Sequence, residues 1–273
     1  MLSEIVNANV TVHTLMADVY NNEPHFRPEN QAKVRQNIEY LKQATSGSRL
    51  LDIGCGTGFI INLAKDLFGE VHGVDITQAM LDKVDLSTGN ITLHNTVAEK
   101  LPFEDSYFDA VTAYSFLHHL EDYRPVLAEV KRVLKPGGIF YADLEPNKLF
   151  WQRMVDLEKS NLANLSDIVM KEIDSVLHTD ERVEREFELD QGMFSKAEYI
   201  KSILGGIDSK EFESDAEVVG FKECKTQFEW FLGQGAVLHG QSSEDAAKIE
   251  AYLRRVLPLS EHLFKYLKFI LVS

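Results

Sequence analysis

Five residues in the first third of the chain have the types and the spacing of a ligand-binding turn. Gly54, Gly56 and Gly58 stand at alternate positions, Asp52 comes two residues before the first of them, and Asp75 follows later. Glycines reach positive φ without strain and let a ligand lie against bare backbone. A carboxylate at Asp52 suits a ligand ammonium group, and one at Asp75 can accept hydrogen bonds from ribose hydroxyls.

The glycine spacing helps to distinguish between two classes of ligand. A dinucleotide site has the pattern G-x-G-x-x-G, with the pyrophosphate at a helix N-terminus. Here the third glycine, Gly58, comes one residue earlier, and Asp52 would repel a pyrophosphate. A ligand that has a ribose and an amino group but no pyrophosphate is S-adenosylmethionine. We therefore predict this cofactor, with S-adenosylhomocysteine as its product.

These residues need parallel strands to bring them to one edge of a sheet. Short apolar runs alternate with amphipathic helical patterns, which indicates an α/β fold with helices on both faces of the sheet. The predicted strands are 49–53, 71–75, 91–97, 109–115, 139–144, 221–231 and 269–272. The predicted helices include 28–42, 58–68, 78–84, 121–133 and 245–256. Each candidate site residue named so far lies at or just beyond the carboxyl end of a strand, where such sheets bind ligands.

Composition limits the class of partner. The chain has 273 residues and a formal net charge of −15, which argues against a nucleic-acid backbone or an anionic membrane surface as the main partner. Two cysteines cannot form a disulfide framework, and no long uncharged apolar segment or signal sequence is present. We expect a cytoplasmic protein with no membrane span and no nucleic-acid partner.

Five motifs occur in an order and spacing that resemble a known family. They are LLDIGCGTG, VDIT, AEKLPFEDSYFDAV, SFLHHL and LKPGG. Together they resemble the class I S-adenosylmethionine-dependent methyltransferases, in particular the branch with quinone C-methyltransferases and small-molecule O-methyltransferases. The resemblance implies a Rossmann-like, doubly wound, mostly parallel seven-stranded sheet with a helical lid insertion after strand five.

The same resemblance divides the chain into four parts. It implies an N-terminal arm and helix over 1–45, a cofactor-binding core over 46–146, the lid insertion over 147–194, and the closing part of the sheet over 195–273. The lid would cover the substrate, although an acidic helical pair packed on the sheet edge is the alternative. Residues 1–27 look irregular, with Tyr20, His25 and Phe26 among Asn and Pro. In the resembling family such an arm often folds over the cofactor, and a surface tail is the other possibility.

The resemblance also implies which residues contact the cofactor. Asp52 and the glycine backbone would hold the methionine half, Asp75 the ribose, Ile76 and Ala98 the adenine, and Ser115 the border with the acceptor. The family often has Asp where this chain has Val97, which weakens the adenine assignment. The predicted cofactor-binding residues are Asp52, Gly54, Cys55, Gly56, Gly58, Asp75, Ile76, Val97, Ala98 and Ser115.

Two histidines are candidate catalytic residues. His118 and His119 follow the fourth predicted strand, and a histidine there can take a proton from a hydroxyl acceptor. The alternative is that they orient the loop. Tyr114, Tyr141 and Glu145 are lesser candidates. Further along, Ser195 and Glu198 have the spacing of a capping box that would begin a helix through Leu204. We predict no metal site.

The predicted function is methyl transfer to O, N or C of a small, apolar or aromatic acceptor. Two alternatives stay open at this point. One is a non-catalytic cofactor-binding or regulatory protein with the same fold, and the other is a related enzyme that uses the cofactor without moving its methyl group. The sequence does not identify the acceptor, the use of a general base, or the oligomeric state.

Overall fold

The computed structural model describes residues 3–23, 26–160 and 166–273 of the chain. Seven strands form one sheet in the order β3-β2-β1-β4-β5-β7-β6. The strands are β1 (Arg49–Ile53), β2 (Glu70–Asp75), β3 (Ile91–Asn95), β4 (Phe108–Tyr114), β5 (Leu134–Pro146), β6 (Glu223–Phe231) and β7 (Phe264–Val272). β7 runs antiparallel to both of its neighbours, and the other pairs are parallel. The predicted mostly parallel seven-stranded sheet is confirmed.

The helices cover both faces and the edges of this sheet. They are α1 (Glu4–Met16), α2 (Pro28–Ala44), α3 (Phe59–Ala64), α4 (Gln78–Leu81), α5 (Arg124–Val133), α6 (Lys148–Lys159), α7 (Asp167–Leu177), α8 (Thr179–Glu186), α9 (Met193–Ala197), α10 (Tyr199–Ser202), α11 (Ser209–Val219), α12 (Gln234–Gly240) and α13 (Ser243–Arg255). Among these, α1, α11 and α12 lie where no helix was predicted. Across the described ranges, no helix is both long and apolar enough to cross a membrane.

The sheet separates two apolar cores. Val34, Ile38 and Leu41 of α2 pack with α3 on one face, at the helical spacing that the sequence shows. On the other face, α5 and α11 pack against the central strands and β7. All seven residues of β4 are buried, as expected for a central strand covered on both faces. The carboxyl ends of β1 and β4 therefore have a firm support on both sides.

The N-terminal arm is helical, so the expectation of an irregular arm was wrong for residues 4–16. Ser3 caps α1 by accepting a hydrogen bond from the backbone N–H of Val6 at 3.2 Å. Val12 and Met16 bury the inner side of α1 against α9. This apolar spacing was present in the sequence, but Asn and Thr residues between the apolar ones obscured it. His25 lies outside the described residues.

The segment after strand five is helical, as expected, with α6, α7 and α8 inside the predicted 147–194 range. Phe150, Trp151 and Met154 of α6 pack on Ile173 and Val176 of α7, in a small apolar cluster of their own. The predicted capping box is wrong, because α9 already begins at Met193 and the Ser195 hydroxyl donates to Asp180 at 2.8 Å. The role of the 147–194 segment as a lid stays a prediction.

The turn after β1 needs glycine for a reason that the sequence alone could not supply. Gly54 has a φ of +65°, and a Cβ at this position would stand 2.1 Å from the ring of Phe116. The ring therefore occupies the space that any other residue type would fill. Phe116 belongs to the turn after β4, so the missing side chain of Gly54 lets the two turns pack together.

Substitution of Gly54 by alanine should lower the free energy of unfolding by more than the strain of a positive φ alone. Gly89 is the matched control, since its φ is +76° and a Cβ there meets nothing within 4 Å. We expect Gly89→Ala to lower the free energy of unfolding by about 1 kcal/mol, and Gly54→Ala by roughly 2–4 kcal/mol because the Phe116 ring must also move. Urea unfolding of both variants measures the difference. Equal losses would show that the contact with Phe116 is easily relieved.

Candidate functional site

A cavity of about 840 Å³, including space open to solvent, lies at the carboxyl edge of the sheet. It is located beside β1 and β4, where the strand order reverses, which is the expected ligand position in an open α/β sheet. The lining residues come from the turns after four strands and from the N-terminal arm: Ser3, Ile5, Val6, Asn9, His13, Tyr20, Gly54, Gly56, Val74, Asp75, Ile76, Thr77, Met80, Thr96, Val97, Ala98, Glu99, Ser115, Phe116, His119, Leu120 and Glu121.

Asp75 holds the two turns at the cofactor end of the cavity together. Its Oδ2 accepts a hydrogen bond from the Gly56 backbone N–H at 2.9 Å, and its Oδ1 accepts one from Thr77 at 2.8 Å. Burial raises the pKa of Asp75, while these two N–H groups oppose that rise. A Cβ on Gly56 would meet only Tyr20, at 3.9 Å, so it would extend into the cavity. The bare backbone at Gly56 and the Asp75 carboxylate thus meet at the cavity wall.

Most of the predicted cofactor residues line the cavity. They are Gly54, Gly56, Asp75, Ile76, Val97, Ala98 and Ser115. Ser115 adopts a φ of +54°, which is unusual for a residue with a side chain, and its N–H donates to the Asp143 carbonyl at 2.8 Å. Such backbone geometry at the end of a central strand is typical of a functional turn.

Three predicted cofactor residues, Asp52, Cys55 and Gly58, are not among the lining residues. Cys55 is buried, and its sulfur fills the space beside Gly73. Gly58, with a φ of +89°, starts α3 next to Val84. Cys55 and Gly58 therefore belong to the glycine turn but do not line the cavity.

Asp52 is the clearest departure from the expectation. Its side chain is buried between β1 and β4, where Oδ1 accepts a hydrogen bond from the Thr112 hydroxyl at 2.8 Å. Burial raises the pKa of Asp52 to about 8, with Asp75 adding to the rise. The alternation of side chains along β1 places this carboxyl beside Thr112 instead of at the cavity wall. A protonated Asp52 would not attract a ligand ammonium group as the sequence suggested.

The two candidate histidines have different environments. His118 is buried, and its Nδ1 lies 2.8 Å from Glu145. Glu145 also accepts hydrogen bonds from the backbone N–H groups of Phe116, Leu117 and His118 at 2.8–3.1 Å. This carboxylate therefore orders the turn after β4. The sequence analysis gave orientation of this loop as the alternative role of the two histidines, and the contact of His118 with Glu145 fits that alternative. His118 is not a lining residue of the cavity.

His119 does line the cavity. Its Nδ1 lies 2.7 Å from the carbonyl oxygen of Ala197, and since a carbonyl can only accept, Nδ1 carries the hydrogen in this contact. In the neutral ring Nε2 then has the lone pair. Burial lowers the pKa of His119 to about 3, so the ring is neutral at physiological pH.

The N-terminal arm lines the cavity, and Asn9 and His13 in it are residues that the sequence analysis did not name. The rings of His13 and His119 lie 5.0 Å apart in an edge-to-face arrangement. Asn9 donates to the backbone carbonyl of His119 at 3.1 Å. Tyr20 also lines the cavity, and burial raises the pKa of its phenol well above the usual range. The helical spacing of Asn9 and His13 was the only sequence signal for these positions.

A second carboxylate, Glu198, lies behind the histidines. One ligand atom each from His118, His119 and Glu198 could hold a metal ion, since the three lie within 4.8 Å of one another. However, the Lys201 ammonium forms an ion pair with Glu198. Lys201 thus already supplies the positive charge that balances the Glu198 carboxylate, and we assign no metal ion to this cluster.

Comparison with known proteins supports the interpretation of the cavity. Residues 51–142, which include β1 to β4 and most of β5, match the family model described as "Methyltransferase domain". A structure of a SAM-dependent methyltransferase from Archaeoglobus fulgidus shares the fold, with a TM-score of 0.53 and 19% identity over 89% of this chain and 94% of the other. Residues 51–142 thus match a methyltransferase domain, and the sheet that they form has the fold of a SAM-dependent methyltransferase.

Curated relatives are similar to part of the chain. A demethylmenaquinone methyltransferase from Staphylococcus saprophyticus is 45% identical over 111 residues, which are 38% of this chain and 48% of the relative. The chain thus spans about half the length of this relative.

A further structural neighbour shows that the fold alone does not decide the reaction. The structure described as the [4+2]-cyclase SpnF has a TM-score of 0.53 and 15% identity, covering 97% of this chain and 94% of the other. Its described activity is a cyclisation, although its fold is that of the methyltransferase domain. The side chains around the cavity must therefore carry the functional argument.

Asp52→Asn should make stability less dependent on pH. Because the folded pKa of Asp52 is about 8 and the unfolded value is about 3.9, folding retains a proton that the unfolded chain releases. The associated stability is present below pH 4 and is lost as pH rises towards 8. The Tm advantage of Asp52→Asn over wild type should thus grow between pH 5 and pH 8.

Thermal unfolding at the two pH values measures this effect. Asp82→Asn, an exposed position at the end of α4, is the control for a general effect of removing one negative charge. If the Tm difference for Asp52→Asn is the same at both pH values, Asp52 is ionised in the folded protein.

Proposed function

We propose that this protein transfers the methyl group of S-adenosylmethionine to a small acceptor that binds in the cavity beside His119. The observation that carries the proposal is the position of Asp75, whose carboxylate joins the glycine turn after β1 to the turn after β2 at the cavity wall. In this fold that position binds a ribose. The methyltransferase domain, which covers the same turns, agrees with it.

The cofactor would lie along the turns after β1, β2 and β3. Gly54 and Gly56 would offer bare backbone to its methionine half, and Asp75 would accept hydrogen bonds from the ribose hydroxyls. Ile76 and Ala98 line the wall where the adenine would pack. The bound cofactor supplies a methyl group already activated on a sulfonium, so the protein has to align the acceptor and exclude water.

The acceptor would bind on the side formed by α1 and the turn after β4. Ile5, Val6, Phe116 and Leu120 give this part of the wall an apolar character, which favours an apolar or aromatic compound. The demethylmenaquinone methyltransferase relative agrees with an acceptor that has a ring. The match covers less than half of either chain, so we propose the chemical class and name no compound.

His119 is the residue we propose as general base. It lines the cavity, its ring is neutral, and Nε2 keeps a lone pair when Nδ1 donates to Ala197. His118 is excluded from this role, because its ring is engaged by Glu145 and buried away from the cavity. Tyr20, with its raised pKa, stays protonated and can orient an acceptor but cannot take its proton.

The test is transfer of label from S-adenosylmethionine that carries a radioactive methyl group to a panel of phenols, quinones and amines. We expect incorporation into at least one ring compound. His119→Ala should lower kcat by about 10²–10⁴-fold, the usual contribution of a general base, while S-adenosylhomocysteine still binds. His239→Ala, an exposed histidine on α12, is the matched control and should keep full activity.

Two results would contradict the proposal in different ways. If S-adenosylhomocysteine binds and no label moves to any acceptor, the protein is a cofactor-binding protein or uses the cofactor without methyl transfer. If label moves equally well in His119→Ala, methyl transfer is correct but His119 is not the base.

A further inference from the structure

The segment that follows the predicted lid packs directly behind the histidine pair. Helices α9 and α10 join at Glu198, and this junction contributes the Ala197 carbonyl to His119. Glu198 Oε1 lies 3.7 Å from His119 Nδ1, and its Oε2 lies 3.4 Å from His118 Nε2. These distances are longer than hydrogen bonds with good geometry, but they are short enough for a strong charge interaction in a buried place.

Glu198 is held in its ionised form by one cation. Lys201, one turn along on α10, forms an ion pair with it, and the Lys201 ammonium also lies 3.9 Å from Asp180 on α8. The side chains of Glu198 and Lys201 are only 10% and 15% exposed. Although burial by itself would raise the pKa of Glu198, the Lys201 ammonium holds it well below its usual range.

The charged and titratable groups around His119 come from three parts of the chain. His13 faces it from α1, His118 from its own turn, and Glu198 from the α9–α10 junction. Of these groups only Glu198 is negatively charged. Tyr20 and Glu23 of the N-terminal arm are also near enough to Glu198 to be influenced by its charge. An imidazolium at His119 would thus have one compensating carboxylate.

We propose that Glu198 is a positioning residue for His119, kept ionised by Lys201. When His119 Nε2 takes a proton from the acceptor, the ring becomes an imidazolium, and the negative charge of the Glu198 carboxylate stabilises it. The Ala197 carbonyl and Glu198 come from one junction. The carbonyl fixes the tautomer of the ring, and the carboxylate stabilises its charged form. This role rests on the proposed function, since it assigns His119 as the base.

A double-mutant cycle separates this role from a structural one. Glu198→Gln preserves shape and removes the charge. We expect it to lower kcat by about 10–100-fold while the Kd of S-adenosylhomocysteine is unchanged. Because Glu198 acts through His119, the Glu198→Gln/His119→Ala double variant should be no slower than His119→Ala alone. Full activity in Glu198→Gln, or losses that multiply in the double variant, would overturn the proposal.

A second measurement does not depend on turnover. The ring nitrogens of His119 can be followed by NMR across pH, in the presence of S-adenosylhomocysteine. Glu198→Gln removes the carboxylate that faces the ring, so protonation of His119 should move to a lower pH. Lys196→Gln is the control, because Lys196 lies on the same segment but pairs with Glu4 at the surface.

The two measurements distinguish the possible failures. If wild type moves no methyl group but Glu198→Gln shifts the titration of His119, the proposed function fails and the coupling of Glu198 to His119 stands. If Glu198→Gln leaves the titration of His119 where it was, Glu198 does not act on His119, and the positioning role is refuted whatever the activity.

Discussion

The hydrogen bonds of Asp75 to two backbone N–H groups are the contacts on which the cofactor end of this site depends. They join the turn after β1 to the turn after β2, although the two donors, Gly56 and Thr77, belong to different strand–helix connections. Removing a carboxylate from water is costly unless it is hydrogen-bonded, and the partly buried carboxylate of Asp75 has two backbone donors. Since the same carboxylate lies at the cavity wall, the contact that orders the turns also presents an acceptor to a ligand.

Another carboxylate, which is fully buried, orders the turn at the other end of the cavity. Glu145, at the end of β5, accepts three backbone N–H groups of the turn after β4 and contacts the ring of His118. The turn it orders carries Phe116, which fills the space above Gly54. The two halves of the site are therefore linked, because the missing side chain of Gly54 is what allows the Phe116 turn to come close.

The chemistry of the cavity depends on parts of the chain that are distant in sequence. α1 covers the cavity and brings His13 next to His119, and the α9–α10 junction brings Glu198 behind the same ring. Both elements pack on each other through Val12 and Phe194.

The sequence predicted the sheet well, because strand patterns and glycine turns are local. β1 was placed to the residue, and Asp75, Ile76, Val97, Ala98 and Ser115 were found because they follow strand ends. The rest depends on tertiary contacts. No local sequence pattern shows that the Thr112 hydroxyl donates to the Asp52 side chain, or that Glu198 pairs with Lys201 instead of completing a capping box. Likewise, α1 becomes part of the site only through its packing on α9.

Calorimetric titration of S-adenosylhomocysteine into wild type, Asp75→Asn and Asp82→Asn tests the central claim most directly. Asp75→Asn keeps the shape of the side chain, removes the charge that would bind the ribose hydroxyls, and replaces one of the two oxygens that accept from Gly56 and Thr77 by a donor. Because a hydrogen bond to a charged group contributes about 1.5–3 kcal/mol, its Kd should rise by roughly 10–150-fold. Asp82→Asn, at an exposed position, should bind as wild type does. Equal affinity in Asp75→Asn and wild type, or no binding by wild type, would contradict the assignment of this cavity to the cofactor.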